Sequence, residues 1–201
     1  MKIAILGGSF DPPHFGHWLV ANQVRELLNL DEIWLMPCAS HPFHKITSSA
    51  EHRLKMTRFL ASKQIKVSDY EIKKNKISYT IDALDYFHER YPKNHFFLII
   101  GSDQIKDFKK WQRWQEIINK YSLVIFPREK NHLDLKTYFQ KSTGLKTVPK
   151  SVIFLDHQDV VVSNISSTLI KTRLKMKEPV LHFVPEKVAA YIKDNHLYSN
   201  I

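Results

Sequence analysis

The stretch "KIAILGGSFDPPHFGHWLVANQV" (residues 2–24) contains the pattern of a strand, a turn and a helix in immediate succession. The apolar run Ile3–Leu6 predicts a buried strand, and this run stops at two glycines. Val20, Val24 and Leu27 then recur at i, i+4 and i+7, which is the spacing of one helix face. Glycines between a strand and a helix are typical of a phosphate-binding turn, so this stretch predicts a nucleotide-binding fold.

The rest of the chain repeats this alternation of strand and helix. Several of the apolar runs are apolar at consecutive positions, as in strands that are buried on both faces. Alternation predicts parallel strands joined by right-handed crossovers, so the expected fold class is α/β: a doubly wound, Rossmann-like parallel sheet with helices on both faces and a small C-terminal helical part. The predicted strands are Lys2–Leu6, Glu32–Met36, Ile65–Val67, Phe96–Ile100, Leu123–Phe126 and Val152–Leu155.

Segments of helical period lie between these strands. In a doubly wound fold the ligand lies beyond the carboxyl ends of the strands, where the strand order reverses. The polar stretch Glu129–Lys150 is expected to hold one short helix. Two other predicted helices begin after Gly16 and at Ser49. A third contains Ile81 and Leu84 and ends before Pro92, and a fourth covers Asp103–Ile118. The last predicted helix has Pro185 in its first turn.

The composition is that of a folded globular protein, with 43% hydrophobic and 12% aromatic residues among 201. A formal charge of +10 suits anionic partners such as nucleotides. A basic nucleic-acid-binding module is the alternative from a different class. The lysines are spread along the chain rather than clustered with aromatics, so we expect no nucleic-acid partner.

The sequence does not indicate a disulfide-stabilised protein or a membrane protein. The single cysteine, Cys38, excludes an internal disulfide framework. No apolar stretch reaches the roughly 18 residues of a membrane span, and no apolar signal region precedes the first strand. We therefore expect a cytoplasmic protein without membrane association.

The opening turn does not match the common phosphate-binding motifs. No Gly-Lys-Ser/Thr follows the first glycines, as a P-loop requires. Gly7, Gly8 and Gly16 do not have the G-x-G-x-x-G spacing of the dinucleotide fingerprint. A zinc site at His14 and His17 would lack both the HExxH glutamate and a cysteine partner.

The residue types of this turn favour phosphate chemistry of another kind. Gly7 and Gly8 let backbone amides approach an anion closely. Histidines at the start of a helix donate hydrogen bonds to phosphoryl oxygens and stabilise charge that grows in a transition state. His14 and His17 are therefore the candidate catalytic residues, while Asp11 is expected to shape the turn rather than act as a base.

The segment from Gly8 to His17, "GSFDPPHFGH", resembles the signature of the HxGH nucleotidyltransferases. The second signature of that superfamily, I-S-S-T-x-I-R, resembles "ISSTLIK" at residues 165–171. The resemblance implies one nucleotidyltransferase domain over residues 1–201. Because Lys171 stands where the family has arginine and Arg173 follows, either cation could meet the triphosphate. The implied ATP-binding residues are Gly8, Ser9, Phe10, His14, Gly16, His17, Ser166, Ser167, Thr168, Lys171 and Arg173.

Four further segments, which together extend the resemblance over nearly the whole chain, resemble the bacterial nicotinate-mononucleotide adenylyltransferases. They are "PCASHPFHK" (residues 37–45), "ISYTID" (77–82), "FFLIIGSDQIKDFKKWQRW" (96–114) and "LVIFPREK" (123–130).

In these segments the resemblance implies that Trp111 stacks on the pyridine ring and that the backbone of Gln112 receives the carboxylate. Trp111 could instead belong to the core, and Thr80 could cap a helix. The implied residues for nicotinate mononucleotide are His44, Lys45, Thr80, Asp103, Trp111, Gln112 and Arg128.

The resemblance implies transfer of the adenylyl group of ATP to nicotinate mononucleotide, giving nicotinate adenine dinucleotide and pyrophosphate in NAD biosynthesis. Mg²⁺ would accompany ATP without dedicated protein ligands. Nicotinamide mononucleotide or another phosphorylated acceptor, such as 4′-phosphopantetheine, is the alternative, and a homo-oligomer stays open. The phosphopantetheine enzymes are shorter and lack the segment that contains Trp111.

Overall fold

The structure, a computed structural model, describes residues 1–39, 47–74, 79–128, 134–156 and 159–198. Its strands form one six-stranded sheet in the order β3-β2-β1-β4-β5-β6, and every pairing is parallel. This confirms the predicted doubly wound sheet, because each predicted strand overlaps an observed one. The strands are β1 (Lys2–Gly8), β2 (Glu32–Pro37), β3 (Ile65–Val67), β4 (His95–Gly101), β5 (Ser122–Phe126) and β6 (Val152–Phe154).

The strand order places one crevice at the centre of the sheet. The chain runs outward from β1 through β2 to β3, returns to the other side of β1 with β4, and continues to β6. The order therefore reverses between β1 and β4, where ligands bind in folds of this kind. The carboxyl ends of these two strands are Gly8 and Gly101, which makes the loops that follow them the expected site.

Helices cover both faces of the sheet, as predicted. Alternate residues of β1 point into two separate cores, because side chains along a strand alternate between the faces. Ala4 and Leu6 belong to the core that contains residues of α1, α2, α8 and α9, and Ile3 and Ile5 belong to the core under α4 to α7. The helices are α1 (Phe15–Leu27), α2 (Ala50–Arg58), α3 (Tyr70–Lys74), α4 (Thr80–Arg90), α5 (Ile105–Phe108), α6 (Trp114–Lys120), α7 (Leu135–Thr143), α8 (Ser167–Lys175) and α9 (Glu186–Asp194).

The predicted continuous helix over Asp103–Ile118 is wrong. A 3₁₀ turn over Ser102–Gln104 leads into the short α5, which ends at Phe108. The next helix, α6, starts at Trp114, directly after Arg113, whose φ of 52° lies in the left-handed region. The ring of Phe108 packs against both Trp111 and Trp114, with centroids 5.4 and 6.1 Å apart. The apolar spacing thus continues across the interruption between the two helices, which is why periodicity alone indicated one helix.

The other helix expectations agree with the structure apart from two caps. The α2 helix starts after Ser49, whose hydroxyl accepts a hydrogen bond from the amide of His52 at 3.3 Å. The α7 helix is the short helix expected in the polar stretch. Pro185 is the N-cap of α9 rather than part of its first turn, and the N-cap of α4 is Tyr79 rather than Thr80. In the described part of the chain, no helix is long and apolar enough to cross a membrane.

Candidate active site

The two candidate catalytic histidines lie side by side where the first loop enters α1. His14 is the N-cap of α1 and is 2% exposed, and its ring centroid lies 3.8 Å from that of His17. The backbone amide of His14 donates a hydrogen bond to Nδ1 of His17 at 3.2 Å. A neutral His17 therefore carries its proton on Nε2, which leaves that N–H group as a donor for a ligand.

His14 also has an unused polar atom. Its Nδ1 is buried and has no hydrogen-bond partner among the residues that the structure describes. Leaving a buried polar atom unpaired costs about 1–3 kcal/mol, so such atoms are rare in folded proteins. A bound ligand at this position would supply the partner.

Burial keeps both histidines uncharged. Burial lowers the pKa of His14 to about 3, and the nearby charge of Arg128 acts in the same direction. The pKa of His17 is also well below its ordinary value, because of burial, of His14 and of Arg128. At neutral pH each ring is thus a neutral hydrogen-bond donor, and a bound phosphate would raise both pKa values.

Gly16 allows the two signature segments to meet. A Cβ atom at this position would lie 2.9 Å from Cε1 and Nδ1 of His14 and 3.1 Å from the carbonyl oxygen of Ile165. Any side chain here would displace either the His14 ring or the segment that leads into α8. The need for glycine therefore follows from the close approach of the two segments.

The second signature forms a helix start beside the first. The hydroxyl of Ser166 caps α8 by accepting from the amide of Leu169 at 3.1 Å. The hydroxyl of Ser167 donates to the carbonyl of Pro12 at 2.8 Å and so joins α8 to the first loop. The amides of Ser167 and Thr168 have no partner within the described residues, so they are available to an anion.

Asp11 joins the loop to three other parts of the chain. Its buried carboxylate accepts from the amides of Thr47 (2.8 Å) and Ser48 (3.2 Å), and from the hydroxyls of Ser48 (2.5 Å) and Tyr198 (2.8 Å). Burial acts to raise the pKa of Asp11, but these hydrogen bonds and the charge of Lys171 hold it below its ordinary value. These contacts tie the first loop to the segment before α2 and to the C-terminal segment, as a structural role of Asp11 requires.

The two cations of α8 lie in different surroundings. The ammonium of Lys171 is 3.4 Å from the carboxylate of Asp11, inside the loop that carries the histidines. The guanidinium of Arg173 pairs with Glu178 at 3.0 Å and donates to the carbonyl of Pro179 at 3.1 Å. Arg173 is therefore held by the C-terminal segment, and Lys171 is the α8 cation that contacts the loop.

Arg128 and Asp103 meet over the ends of β4 and β5. Nε of Arg128 is 3.5 Å from the Asp103 carboxylate, and the backbone amide of Arg128 donates to the hydroxyl of Ser102 at 2.9 Å. A Cβ atom on Gly101 would collide with both Asp103 and Arg128, so glycine lets the Arg128 side chain cross the end of β4. The charge of Arg128 also lowers the pKa of both histidines.

The other residues predicted to bind the acceptor either do not contact the histidine loop or lie outside the described residues. Thr80 is the first residue of α4, Trp111 is half-buried against Phe108, and Gln112 is exposed. Among the described residues, no ring contact or hydrogen bond joins Thr80 or Trp111 to the histidine loop. His44 and Lys45 fall in residues 40–46, outside the described residues.

Sequence reasoning missed three residues that organise the site. Arg53 is buried and donates to three loop carbonyls, Ser48 joins it to Asp11, and Tyr198 donates to Asp11. The position of Arg53 gave one signal, because it lies next to Leu54 and both residues are on the buried face of α2. Tyr198, 187 positions from its partner, carries no comparable signal.

The described residues hold no group of three or more histidine, cysteine, aspartate or glutamate side chains that could bind a metal together. The Asp11 carboxylate is occupied by its four donors and a lysine. A divalent metal that arrives with a bound nucleotide keeps several waters, so phosphate oxygens and water would be its ligands.

Solved structures share this fold over almost the whole chain. The nicotinic acid mononucleotide adenylyltransferase of Plasmodium falciparum, solved as a complex with NaAD, superposes with a TM-score of 0.77 and 23% identity. The match covers 98% of this chain and 97% of that one. The same enzyme complexed with APC gives a TM-score of 0.74. These likenesses show the fold.

Sequence relatives show the family. Residues 5–173 match the cytidylyltransferase-like family model. A probable nicotinate-nucleotide adenylyltransferase of Bacillus licheniformis is 36% identical over 98% of both chains. The nicotinate-nucleotide adenylyltransferase of Bacillus subtilis is 33% identical over 99% of both. With the two signature segments joined around paired histidines, the chain belongs to the nicotinate-nucleotide adenylyltransferase family.

Proposed function

We propose that this protein transfers the adenylyl group of ATP to nicotinate mononucleotide, giving nicotinate adenine dinucleotide and pyrophosphate in NAD biosynthesis. The observation that carries the proposal is the meeting of the two signatures, where Ser167 bonds to Pro12 and Ile165 lies against Gly16. The names of the relatives support the choice of acceptor. Residues 1–201 act as one nucleotidyltransferase domain.

The reaction is an in-line displacement at phosphorus. An oxygen of the acceptor's 5′-phosphate forms a bond to the α-phosphorus of ATP, and the bond from that phosphorus to the β-bridging oxygen breaks. Pyrophosphate leaves with the electron pair of the broken bond. The acceptor phosphate is already an anion, so no side chain needs to act as nucleophile, and catalysis consists of positioning and charge stabilisation.

The phosphate side of the site, formed by residues 8–17 and the start of α8, would hold the triphosphate. Nε2–H of His17 and the unpaired Nδ1 of His14, as a donor, suit the α-phosphate and the leaving pyrophosphate. The free amides of Ser167 and Thr168 add further donors. The contact of Lys171 with Asp11 favours Lys171 over Arg173 as the cation for the triphosphate.

The loop residues act mainly through the backbone. Gly8 and Gly16 give room for close approach, Ser9 lies next to the glycines, and the buried Phe10 packs its ring 4.6 Å from His17. Phe10 has a φ of 49°, which a bulky residue adopts only where its surroundings hold it. Ser166 caps the helix that supplies the free amides. Mg²⁺ would enter with ATP and offset phosphate charge.

The acceptor side, formed by Asp103, Trp111, Gln112 and Arg128, would bind nicotinate mononucleotide. Arg128 contacts Asp103, and its charge acts on both histidines, which suits an anionic group of the acceptor close to the α-phosphate. An indole face at Trp111 suits the electron-poor pyridine ring, and the exposed backbone at Gln112 suits its carboxylate. Thr80, His44 and Lys45 are proposed to complete this side.

Three finer points belong to the same proposal. The reaction takes place in the cytoplasm with no nucleic acid bound, and the chain acts either alone or as a homo-oligomer. Light scattering after gel filtration measures the oligomeric state. Affinity for duplex DNA that falls steeply with salt, without adenylyl transfer, would favour the basic nucleic-acid-binding module instead.

Acceptor competition tests the proposal. Release of pyrophosphate from ATP is measured with nicotinate mononucleotide, with nicotinamide mononucleotide, with 4′-phosphopantetheine and with no acceptor. We expect kcat/KM to be at least about tenfold higher for nicotinate mononucleotide than for the amide, since a lost charged hydrogen bond costs about 1.5–3 kcal/mol. Higher kcat/KM for another acceptor would contradict the proposed substrate.

A further inference from the structure

A buried arginine lies under the loops of the active site. Arg53, on α2, has no exposed surface. Its guanidinium donates to three backbone carbonyls, of Ser9 at 2.7 Å, of Ala39 at 3.1 Å and of Ser48 at 3.3 Å. These carbonyls belong to the segment after β1, the segment after β2 and the segment before α2. One side chain thus fixes three separate connections at the carboxyl edge of the sheet.

Ser48 extends this network to Asp11 and Lys171. Its carbonyl is bound by Arg53, while its amide and hydroxyl donate to Asp11 at 3.2 and 2.5 Å. Asp11 in turn contacts Lys171 of α8 at 3.4 Å. A continuous series of polar contacts therefore runs from α2 through the first loop to α8.

Glu71 holds the same network from α3. It is 7% exposed, and it accepts a hydrogen bond from the amide of Ala39, whose carbonyl Arg53 binds. Burial raises the pKa of Glu71 to about 7, although this hydrogen bond and the charges of Lys74 and Arg53 oppose the change. Both backbone groups of Ala39 are therefore held by buried side chains, those of Arg53 and Glu71.

We propose that Arg53 is a positioning residue for adenylyl transfer: it holds Ser9 directly and orients Asp11 and Lys171 through Ser48. The inference rests on the proposed function. Arginine suits this role because its rigid, planar fork binds three acceptors in fixed directions, whereas lysine has a single point of charge. Displacing reacting groups by about 1 Å costs on the order of a hundredfold in rate, so the network acts on turnover.

The test compares Arg53→Lys with Met56→Ala. Met56 lies on the same helix and is fully buried in the core, without a part in the Arg53 hydrogen bonds, so its truncation controls for lost stability. The melting temperature, kcat and both KM values are measured at a temperature where circular dichroism shows both variants folded. We expect kcat to fall about ten- to hundredfold in Arg53→Lys and to stay within about twofold in Met56→Ala. Equal kcat values in the two variants would overturn the proposal.

Ser48→Ala provides a second test of the network, which does not depend on whether the Arg53→Lys variant folds. This change removes the hydroxyl bond to Asp11 and keeps the carbonyl that Arg53 binds. We expect kcat to fall about three- to tenfold, the cost of one hydrogen bond. Wild-type kcat in Ser48→Ala would overturn the proposal.

Calorimetric binding of a non-hydrolysable ATP analogue separates this inference from the proposed function. If the wild-type protein makes no dinucleotide, the proposed function fails, and binding still reports on the network. We expect Arg53→Lys to bind the analogue about tenfold more weakly than Met56→Ala does. Equal affinities would overturn the role of Arg53.

Discussion

The proposed phosphate side and the proposed acceptor side of the site differ in how they are built. On the phosphate side, Asp11 and His14 are each about 2% exposed, and buried hydrogen bonds connect Asp11 to distant parts of the chain. On the acceptor side, the Asp103 side chain is 59% exposed and Gln112 is exposed. The proposed phosphate side is therefore held in place by the fold itself, whereas the proposed acceptor side consists of accessible groups. Preorganised groups act on turnover, and accessible ones act on substrate selection.

The largest expected effect comes from His17→Ala on the phosphate side. Losing one donor that acts on transition-state charge lowers turnover by about 10²- to 10³-fold. The KM values for both substrates should change far less, because the interaction strengthens only as the α-phosphate reacts. Initial rates of pyrophosphate release measure the effect, with circular dichroism to verify the fold. Turnover near the wild-type rate would contradict the role of His17.

The next effect distinguishes the two cations of α8. We expect Lys171→Met to raise the KM for ATP about ten- to hundredfold, because a charged hydrogen bond contributes about 1.5–3 kcal/mol. Arg173→Met is the matched control, since its guanidinium is held by Glu178 and Pro179. The KM for ATP at saturating acceptor is measured for both. A larger change in Arg173→Met would assign the triphosphate to Arg173 instead.

A smaller effect is expected on the acceptor side. Trp111→Ala should raise the KM for nicotinate mononucleotide about tenfold and leave the KM for ATP nearly unchanged, since one lost stacking contact costs about 1–3 kcal/mol. Trp114→Ala is the control, because the Trp114 ring also packs against Phe108. Equal changes in the two variants would place Trp111 in the core rather than against the ligand.

The smallest effect concerns stability and pH in the absence of ligand. The pKa of His14 is about 3 in the folded protein against about 6.5 in the unfolded chain, so between these values only the unfolded state binds the proton. The free energy of unfolding should therefore fall as the pH drops from 6.5 to 5.5, by up to about 1.4 kcal/mol per pH unit for this histidine. Urea unfolding over this range measures the slope, and His14→Asn should reduce it. An unchanged slope in the variant would contradict a buried, neutral His14.

How much the sequence predicted also differs between the two sides. The strands, their parallel orientation and the pairing of "GSFDPPHFGH" with "ISST" followed from local patterns and from the two signatures. The network of Arg53, Ser48 and Tyr198 did not, because it depends on contacts between residues up to 187 positions apart. The break at Arg113 escaped prediction because Phe108 keeps the apolar spacing regular across it.

The most direct test of adenylyl transfer at the paired histidines follows the label of [α-³²P]ATP in the presence of nicotinate mononucleotide. In the wild-type protein the label should enter the dinucleotide in an amount equal to the pyrophosphate released. In His17→Ala the rate of labelling should be lower by about 10²- to 10³-fold. Label that stays out of the dinucleotide in the wild-type protein, or that enters it equally fast in the variant, would contradict the account.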